Sequence, residues 1–248
     1  MSSALVITGG SRGIGAATAR LAARRGYDVC FNYRAKREAA DKVVAAIEQS
    51  GGRALAVQGN VAEEADVVGL FDAAEQAFGK IRGLVNNAGI VGPSSPAADV
   101  PLAALRELFE VNVLGAFLAA REAVRRMSTA RGGAGGSIVN LSSMAAFLGG
   151  AGEFVHYAAS KGAIETLTIG LSREVAREGI RVNAVAPGLI DTEIHASAGM
   201  PDRVEKLGPM VPMGRGGTAD EVAEAILWLL SDASSYVSGT TLRVSGGR

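Results

Sequence analysis

Ala4-Leu5-Val6-Ile7-Thr8-Gly9-Gly10-Ser11-Arg12-Gly13-Ile14-Gly15 is the stretch from which the fold is read. Its four leading apolar residues show no polar alternation, the pattern of a strand buried on both faces. A glycine-rich turn follows and opens residues 13 to 25, which read as a helix closed by Gly26. Gly9, Gly13 and Gly15 can supply a tight turn, close approach of backbone to a phosphate, and close helix-to-strand packing. The helix N-terminus adds unpaired N–H groups that suit an anion. The spacing is G-x-x-x-G-x-G, so neither the commonest dinucleotide fingerprint nor a phosphate-binding P-loop is present. Its position after a first strand favours nucleotide binding over an ordinary strand-to-helix turn.

Working outward, short β-branched runs keep alternating with segments of helical period. Strands are expected at Val29 to Phe31, Ala54 to Val57, from Leu84-Val85, at Ile138 to Leu141, Val182 to Ala186 and Thr241 to Val244. Helices are expected at residues 36 to 49, around Val67 to Phe78, from about Leu102 to Met127, about 154 to 178, and 219 to 231. Seven strands separated mostly by helices imply parallel pairing through right-handed crossovers. The expected architecture is α/β: a single-domain Rossmann fold with a seven-stranded parallel sheet and helices on both faces, spanning residues 1–248. The segment from Leu189 to Gly217 carries three prolines and three methionines without a sustained period, and is read as an irregular substrate lid.

Composition narrows the partners. The chain has 248 residues, 33 of them Gly, and 48% are hydrophobic; no Gly-X-Y period exists, so the glycines serve turns and close approaches. Lys+Arg and Asp+Glu balance at 25 each, and no basic stripe invites nucleic acid or an anionic membrane. No apolar run reaches the roughly 18 residues of a spanning helix, and Met1 to Thr8 lacks a leader's basic start. The expectation is a soluble cytoplasmic protein with no nucleic-acid or membrane partner. One cysteine, Cys30, allows no internal disulfide and reads as a small buried apolar residue. His156 and His195 stand in no cluster of metal-ligand spacing, so no metal is expected. His156 is expected to point off the face that carries Tyr157, and His195 to be an exposed residue of the lid.

Rossmann-type sites often place an acid about 20 residues past the glycine turn to hold the ribose hydroxyls. Here the second strand ends in Asn32-Tyr33-Arg34, with no carboxylate. An acid would repel a 2′-phosphate, whereas Arg34, assisted by Arg12, can pair with one bidentately. The reading is NADP(H) ahead of NAD(H).

Tyr157 and Lys161 lie four apart in a helical segment and share one face. A phenol titrates near pH 10, but an adjacent ammonium stabilises the phenolate and lowers that pKa, which suits Tyr157 to proton exchange with a carbonyl or alcohol. Ser142-Ser143 ends the fifth strand at the carboxyl edge of the sheet, where such folds place ligands, and a hydroxyl there can hold a reacting oxygen.

Taken with Asn86-Asn87-Ala88-Gly89, Tyr157-Ala158-Ala159-Ser160-Lys161 and Pro187-Gly188-Leu189-Ile190-Asp191-Thr192, these motifs make the chain resemble the short-chain dehydrogenase/reductase family over essentially its whole length. The run from Gly152 through Ile164 resembles bacterial members labelled sugar dehydrogenases or 3-oxoacyl carrier-protein reductases. The resemblance implies Tyr157 as general acid/base, Lys161 binding the nicotinamide ribose, Ser143 orienting the substrate oxygen and Asn112 holding a water of the proton relay. It places Ser11 and Ile14 in the phosphate loop, Asn87, Ala88 and Gly89 on the adenosine side, and Pro187, Gly188, Ile190 and Thr192 about the nicotinamide. Asn60, before Val61, stands where the family has an adenine-side Asp, and an amide can still accept and donate hydrogen bonds there. The loop from Ser143 to Tyr157 is one residue longer than the commonest pattern.

The resemblance implies a homotetramer or homodimer paired through the helices of about 102 to 127 and 154 to 178. Phe147, Leu148, Phe154, Val91 and the lid methionines suggest a partly apolar pocket. The function implied is NADP(H)-dependent hydride transfer to or from a small-molecule carbonyl or secondary alcohol. The alternatives are a non-catalytic NADPH-binding sensor or partner subunit, and a methyltransferase on a related sheet.

Overall fold

A computed structural model describes residues 3–248; Met1 and Ser2, the first residues of the segment weighed as a leader, and the side chain of His195 lie outside the described residues. The first strand, β1 (Ser3–Ile7), is buried from Ala4 onward and pairs in parallel with β2 (Tyr27–Tyr33) on one side and β4 (Ile81–Asn86) on the other. β3 (Ala54–Gln58) lies beyond β2, while β5 (Gly136–Leu141), β6 (Ile180–Pro187) and β9 (Thr241–Val244) extend the sheet beyond β4. The order β3-β2-β1-β4-β5-β6-β9 is all parallel and reverses direction between β1 and β4. That reversal opens a crevice at the carboxyl ends of the strands.

Period-two side chains divide the core between the two faces of the sheet. Leu5, Ile7, Val29, Phe31 and Val185 meet α1 (Gly13–Arg24), α2 (Arg37–Gln49) and α10 (Ala219–Leu230) on one face. Ala4, Val6, Cys30, Leu84, Ile138 and Val182 meet α3 (Glu64–Phe78), α5 (Gly115–Met127) and the end of α7 (Val155–Val175) on the other. Phe31 and Phe71 are fully buried, and each such side chain contributes roughly 1.5–3 kcal/mol. Cys30 is buried as expected, and burial pushes its thiol up to about 12. α10 starts with a reciprocal cap: the Thr218 hydroxyl accepts from Glu221 N–H, and the Glu221 carboxylate accepts from Thr218 N–H.

The structure corrects several boundaries. The expected helix from Leu102 to Met127 is α4 (Leu102–Phe109) and α5 joined by a π-helical turn at Glu110–Leu114. β4 begins at Ile81 instead of Leu84, and a short α6 (Ala145–Leu148) interrupts the loop before α7. The segment from Leu189 to Gly217, expected to be an irregular lid, has regular structure. It holds α8 (Ile194–Ser197) and α9 (Arg203–Leu207), and its two ends pair as short parallel strands, β7 (Ile190–Asp191) with β8 (Gly217–Thr218). No helix among the described residues is long and apolar enough to cross a membrane.

Candidate active site

The turn after β1 bends through left-handed backbone at Gly9 (φ 68°) and Gly13 (φ 52°). It is held by side chains from two neighbouring strands. Asn32 Oδ1 accepts from Gly9 N–H at 2.8 Å while its Nδ2 donates to the Gly59 carbonyl at 2.8 Å. Asn87 Nδ2 donates to the carbonyls of Thr8 and Gly9, and the Thr8 hydroxyl accepts from the N–H groups of Asn87 and Ala88. Asn32 is thereby a buried staple of the turn. A β-carbon on Gly15 would stand 2.3 Å from the Gly9 carbonyl oxygen, so α1 abuts the turn only because residue 15 has no side chain.

A cleft of about 720 Å³ runs along the carboxyl edge. Gly9, Ser11, Arg12, Gly13 and Ile14 line it beside Asn32, Tyr33, Arg34, Asn60 and Val61. Asn87, Ala88, Gly89, Ser143, Tyr157, Lys161, Pro187, Gly188, Ile190 and Thr192 line it too. Two of the residues read from the sequence are not on its wall. Gly15 is packed behind the turn, and Asn112 is 1% exposed in the π turn, behind Gly89 and Lys161. The Asn112 side chain brackets Ile90 and also donates to the Ser160 hydroxyl at 3.1 Å, which itself donates to the Tyr157 carbonyl at 2.7 Å.

At the β2 end the cleft is lined by Arg12, Arg34 and Lys36, of which Lys36 belongs to no motif that sequence reasoning singles out. Arg34 is exposed and pairs with Glu107 of α4 at 3.0 Å. Asn60 is engaged locally: its N–H donates to Asp66 and its Oδ1 accepts from Ala62 N–H.

At the β5–α7 end, Ser143, Tyr157 and Lys161 share the wall. Lys161 is buried, its Nζ donates to the Leu141 carbonyl at 2.7 Å, and it lies 5.8 Å from the centre of the Tyr157 ring. Burial brings its ammonium down to about 8, against a smaller opposing pull from Glu165. For Tyr157 the expected lowering is not what the structure gives. Desolvation deep in the cleft raises the phenol above its usual value, and the Ser143 hydroxyl pulls it part of the way back. A β-carbon on Gly89 would fall 3.2 Å from Asn112 Oδ1 and 3.5 Å from Lys161 Nζ, so the bare backbone keeps open a polar recess beside the lysine.

The substrate side of the cleft is only partly as expected. Val91, Leu148, Phe154 and Met200 line it, together with Ile194, Glu153 and Arg203. Phe147 faces away under the Arg243 guanidinium at 4.3 Å, and Met210 and Met213 are solvent-exposed. His156 is not on the cleft wall that Tyr157 lines; it is 5% exposed, beside Gly92 and Phe154. The expectation for His195 falls on a side chain outside the described residues. No group of metal-ligating residues occurs among those described.

This fold, with a glycine turn facing a serine, a tyrosine and a lysine across a switch-point crevice, defines a dinucleotide-type oxidoreductase scaffold, and the chain belongs to the short-chain dehydrogenase/reductase family. Residues 9–248 match the family model described as Enoyl-(Acyl carrier protein) reductase. The chain is 51% identical to the uncharacterized oxidoreductase YgfF of Escherichia coli (strain K12), over 98% of both chains. It is 43% identical to a cis-4-hydroxycyclohexanecarboxylate dehydrogenase of Sinomonas cyclohexanicum, covering 98% of this chain and 94% of that one. Among solved structures, a levodione reductase superposes with a TM-score of 0.91 at 32% identity, over 99% of this chain and 96% of that one.

Proposed function

We propose that the chain is an NADP(H)-dependent oxidoreductase that interconverts a carbonyl and a secondary alcohol. The observation carrying this reading is the convergence of Ser143, Tyr157 and Lys161 on one end of the cleft whose other end is walled by the glycine turn, Arg12 and Arg34. The residues suit a dinucleotide: left-handed glycines and the start of α1 offer N–H groups to a pyrophosphate, and the recess at Gly89 accepts a ribose beside Lys161. When bound, the nicotinamide supplies or accepts the hydride.

The chain's own residues handle the proton. A phenol whose pKa is raised by burial stays protonated at neutral pH, so Tyr157 Oη is a proton donor to a carbonyl oxygen as charge develops on that oxygen. Ser143 Oγ, on the same wall, donates a hydrogen bond to the same oxygen. Lys161 remains cationic at pH 7, since about 8 lies above that pH, and favours the phenolate left behind. Asn112, through Ser160, fixes the backbone of the turn that carries Tyr157 and so acts as a positioning residue.

Relatives named as a hydroxy-acid dehydrogenase and a reductase support this class of chemistry. Exposed Phe109, Leu114 and Phe117 along α4 and α5, and Val155 and Ile169 on α7, support pairing of copies into a dimer or tetramer through those helices. The test is Tyr157→Phe, which should keep NADPH binding and lower turnover by about 10²–10⁴-fold. Unchanged turnover would remove Tyr157 from the mechanism. If the protein binds NADPH but reduces no carbonyl in a broad panel, the sensor reading takes over.

A further inference from the structure

Glu153 and Arg203 meet across the substrate end of the cleft. Arg203 Nη2 lies 2.7 Å from Glu153 Oε2, its Nη1 lies 3.2 Å from Met200 Sδ, and its guanidinium stacks 5.3 Å over the Phe154 ring. Arg203 comes from lid helix α9 and is 16% exposed. Glu153 is fixed from both sides by backbone: its N–H donates to Gly150 and its carbonyl accepts from Ser95 N–H at 2.9 Å. The pair thus joins the lid, the loop after β4 and the turn leading into α7, four residues before Tyr157.

The chemistry of this end follows from the pairing. Val91, Leu148, Ala151, Ile194 and Met200 give the cleft an apolar lining, which Ser197 and Glu193 of the segment before α9 interrupt. A guanidinium at such a wall would bind a substrate carboxylate bidentately, but here a carboxylate of the chain already occupies it. An anionic substrate that takes the Nη2 side of Arg203 must displace the half-exposed Glu153 carboxylate and sit beside that like charge.

We propose that Glu153 is the specificity-determining residue of the cleft: by neutralising Arg203 it selects uncharged, largely apolar carbonyl or alcohol substrates and rejects carboxylates. The proposal rests on the carbonyl-oxidoreductase reading. Removing the charge of Glu153 leaves Arg203 in place over Phe154 with a free donor pair, so the preference should invert.

The experiment compares wild type, Glu153→Gln and Glu153→Asp on matched ketones, 4-methylcyclohexanone against 4-oxocyclohexanecarboxylate. It also measures binding of cyclohexanecarboxamide and cyclohexanecarboxylate to the NADPH complex by nicotinamide fluorescence. Wild type and Glu153→Asp should favour the neutral member of each pair, and Glu153→Gln should shift the acid-to-neutral ratio of kcat/KM and of affinity toward the acid by at least about 10-fold. Arg203→Gln in the Glu153→Gln background should abolish that gain, which a merely loosened lid would not do. A wild type that prefers the acid, or a ratio unchanged in Glu153→Gln, overturns the proposal while leaving the oxidoreductase reading intact. Absence of both turnover and NADPH binding in all variants overturns that reading, and the proposal with it.

Discussion

Asn112 closes a reciprocal pair of hydrogen bonds with the backbone of Ile90: its Oδ1 accepts from the Ile90 N–H and its Nδ2 donates to the Ile90 carbonyl, both at 2.8 Å. The loop leaving β4 has no strand partner at this point, and the side chain supplies the ladder it lacks. Both pairings come from a π-helical turn, which aims a buried amide sideways at the cleft floor. Asn112→Ala leaves two backbone groups unpaired at roughly 1–3 kcal/mol each. The melting temperature should fall by about 4–24 °C, at the 2–4 °C per kcal/mol usual for a chain of this size. Thermal melts of the variant without ligand check this, and a loss under about 2 °C would mean that the loop holds its shape without the bracket.

The Arg34–Glu107 pair bears on cofactor choice. Both side chains are more than half exposed, so the pair itself is worth little to stability. A dianionic 2′-phosphate should win Arg34 from Glu107, and Glu107 works against it. Arg34→Ala should therefore weaken NADPH binding by about 10-fold or more and barely change NADH, as one charge-assisted bidentate contact is lost. Glu107→Gln should tighten NADPH by a few-fold. Equal losses for both cofactors in direct binding titrations would sink the 2′-phosphate role.

The elements that position the site are legible in the sequence because they rest on local chemistry. Ala4 to Ile7 is buried on both faces and Gly9 bends left-handed, so run and turn can be read without knowledge of their neighbours. The π turn is hidden because Val111, Asn112 and Val113 keep an apolar rhythm that a regular helix would share; only the backbone reveals the extra residue. α8 and α9 span four and five residues, too short for any helical period to register. Phe147 reads as a pocket residue on its apolarity, but it is capped by Arg243, nearly a hundred positions away. The Glu153–Arg203 pair is equally non-local. Nothing in either residue's surroundings in sequence announces the other.

Two glycines in helices separate steric need from backbone cost. Gly15→Ala would push a β-carbon to 2.3 Å from the Gly9 carbonyl oxygen and 2.5 Å from Asn87 Nδ2, so α1 must move off the phosphate turn. Overpacking of this kind costs about 1–3 kcal/mol, and the displaced turn should weaken dinucleotide binding as well. Gly69, inside α3, has open space where a β-carbon would stand, with nothing within 4 Å. Gly69→Ala should therefore stabilise the protein by about 0.5–1 kcal/mol through helix propensity, with binding unchanged. Denaturant titrations of the two variants should move in opposite directions, and a harmless Gly15→Ala would contradict the packing assigned to the turn.

His156 carries the pH dependence that the fold adds beside the site. Its ring is buried next to Gly92, in the loop after β4, and neither ring nitrogen makes a hydrogen bond of good geometry among the described residues. Burial holds its pKa below the usual 6.5, and the nearby carbonyls of Pro93 and Val91 offset this only in part. The unfolded chain then binds a proton more readily than the folded one at and below about pH 6.5. Stability is accordingly fully present above that pH and is lost as the pH falls through it, at no more than about 1.4 kcal/mol per pH unit for one proton. In His156→Asn this contribution is gone, so its stability should vary less between pH 7.5 and 5 even where its absolute stability is lower. Denaturant titrations of both proteins across that range measure the slopes. Parallel curves would show that His156 takes up its proton in the folded state as readily as in the unfolded chain.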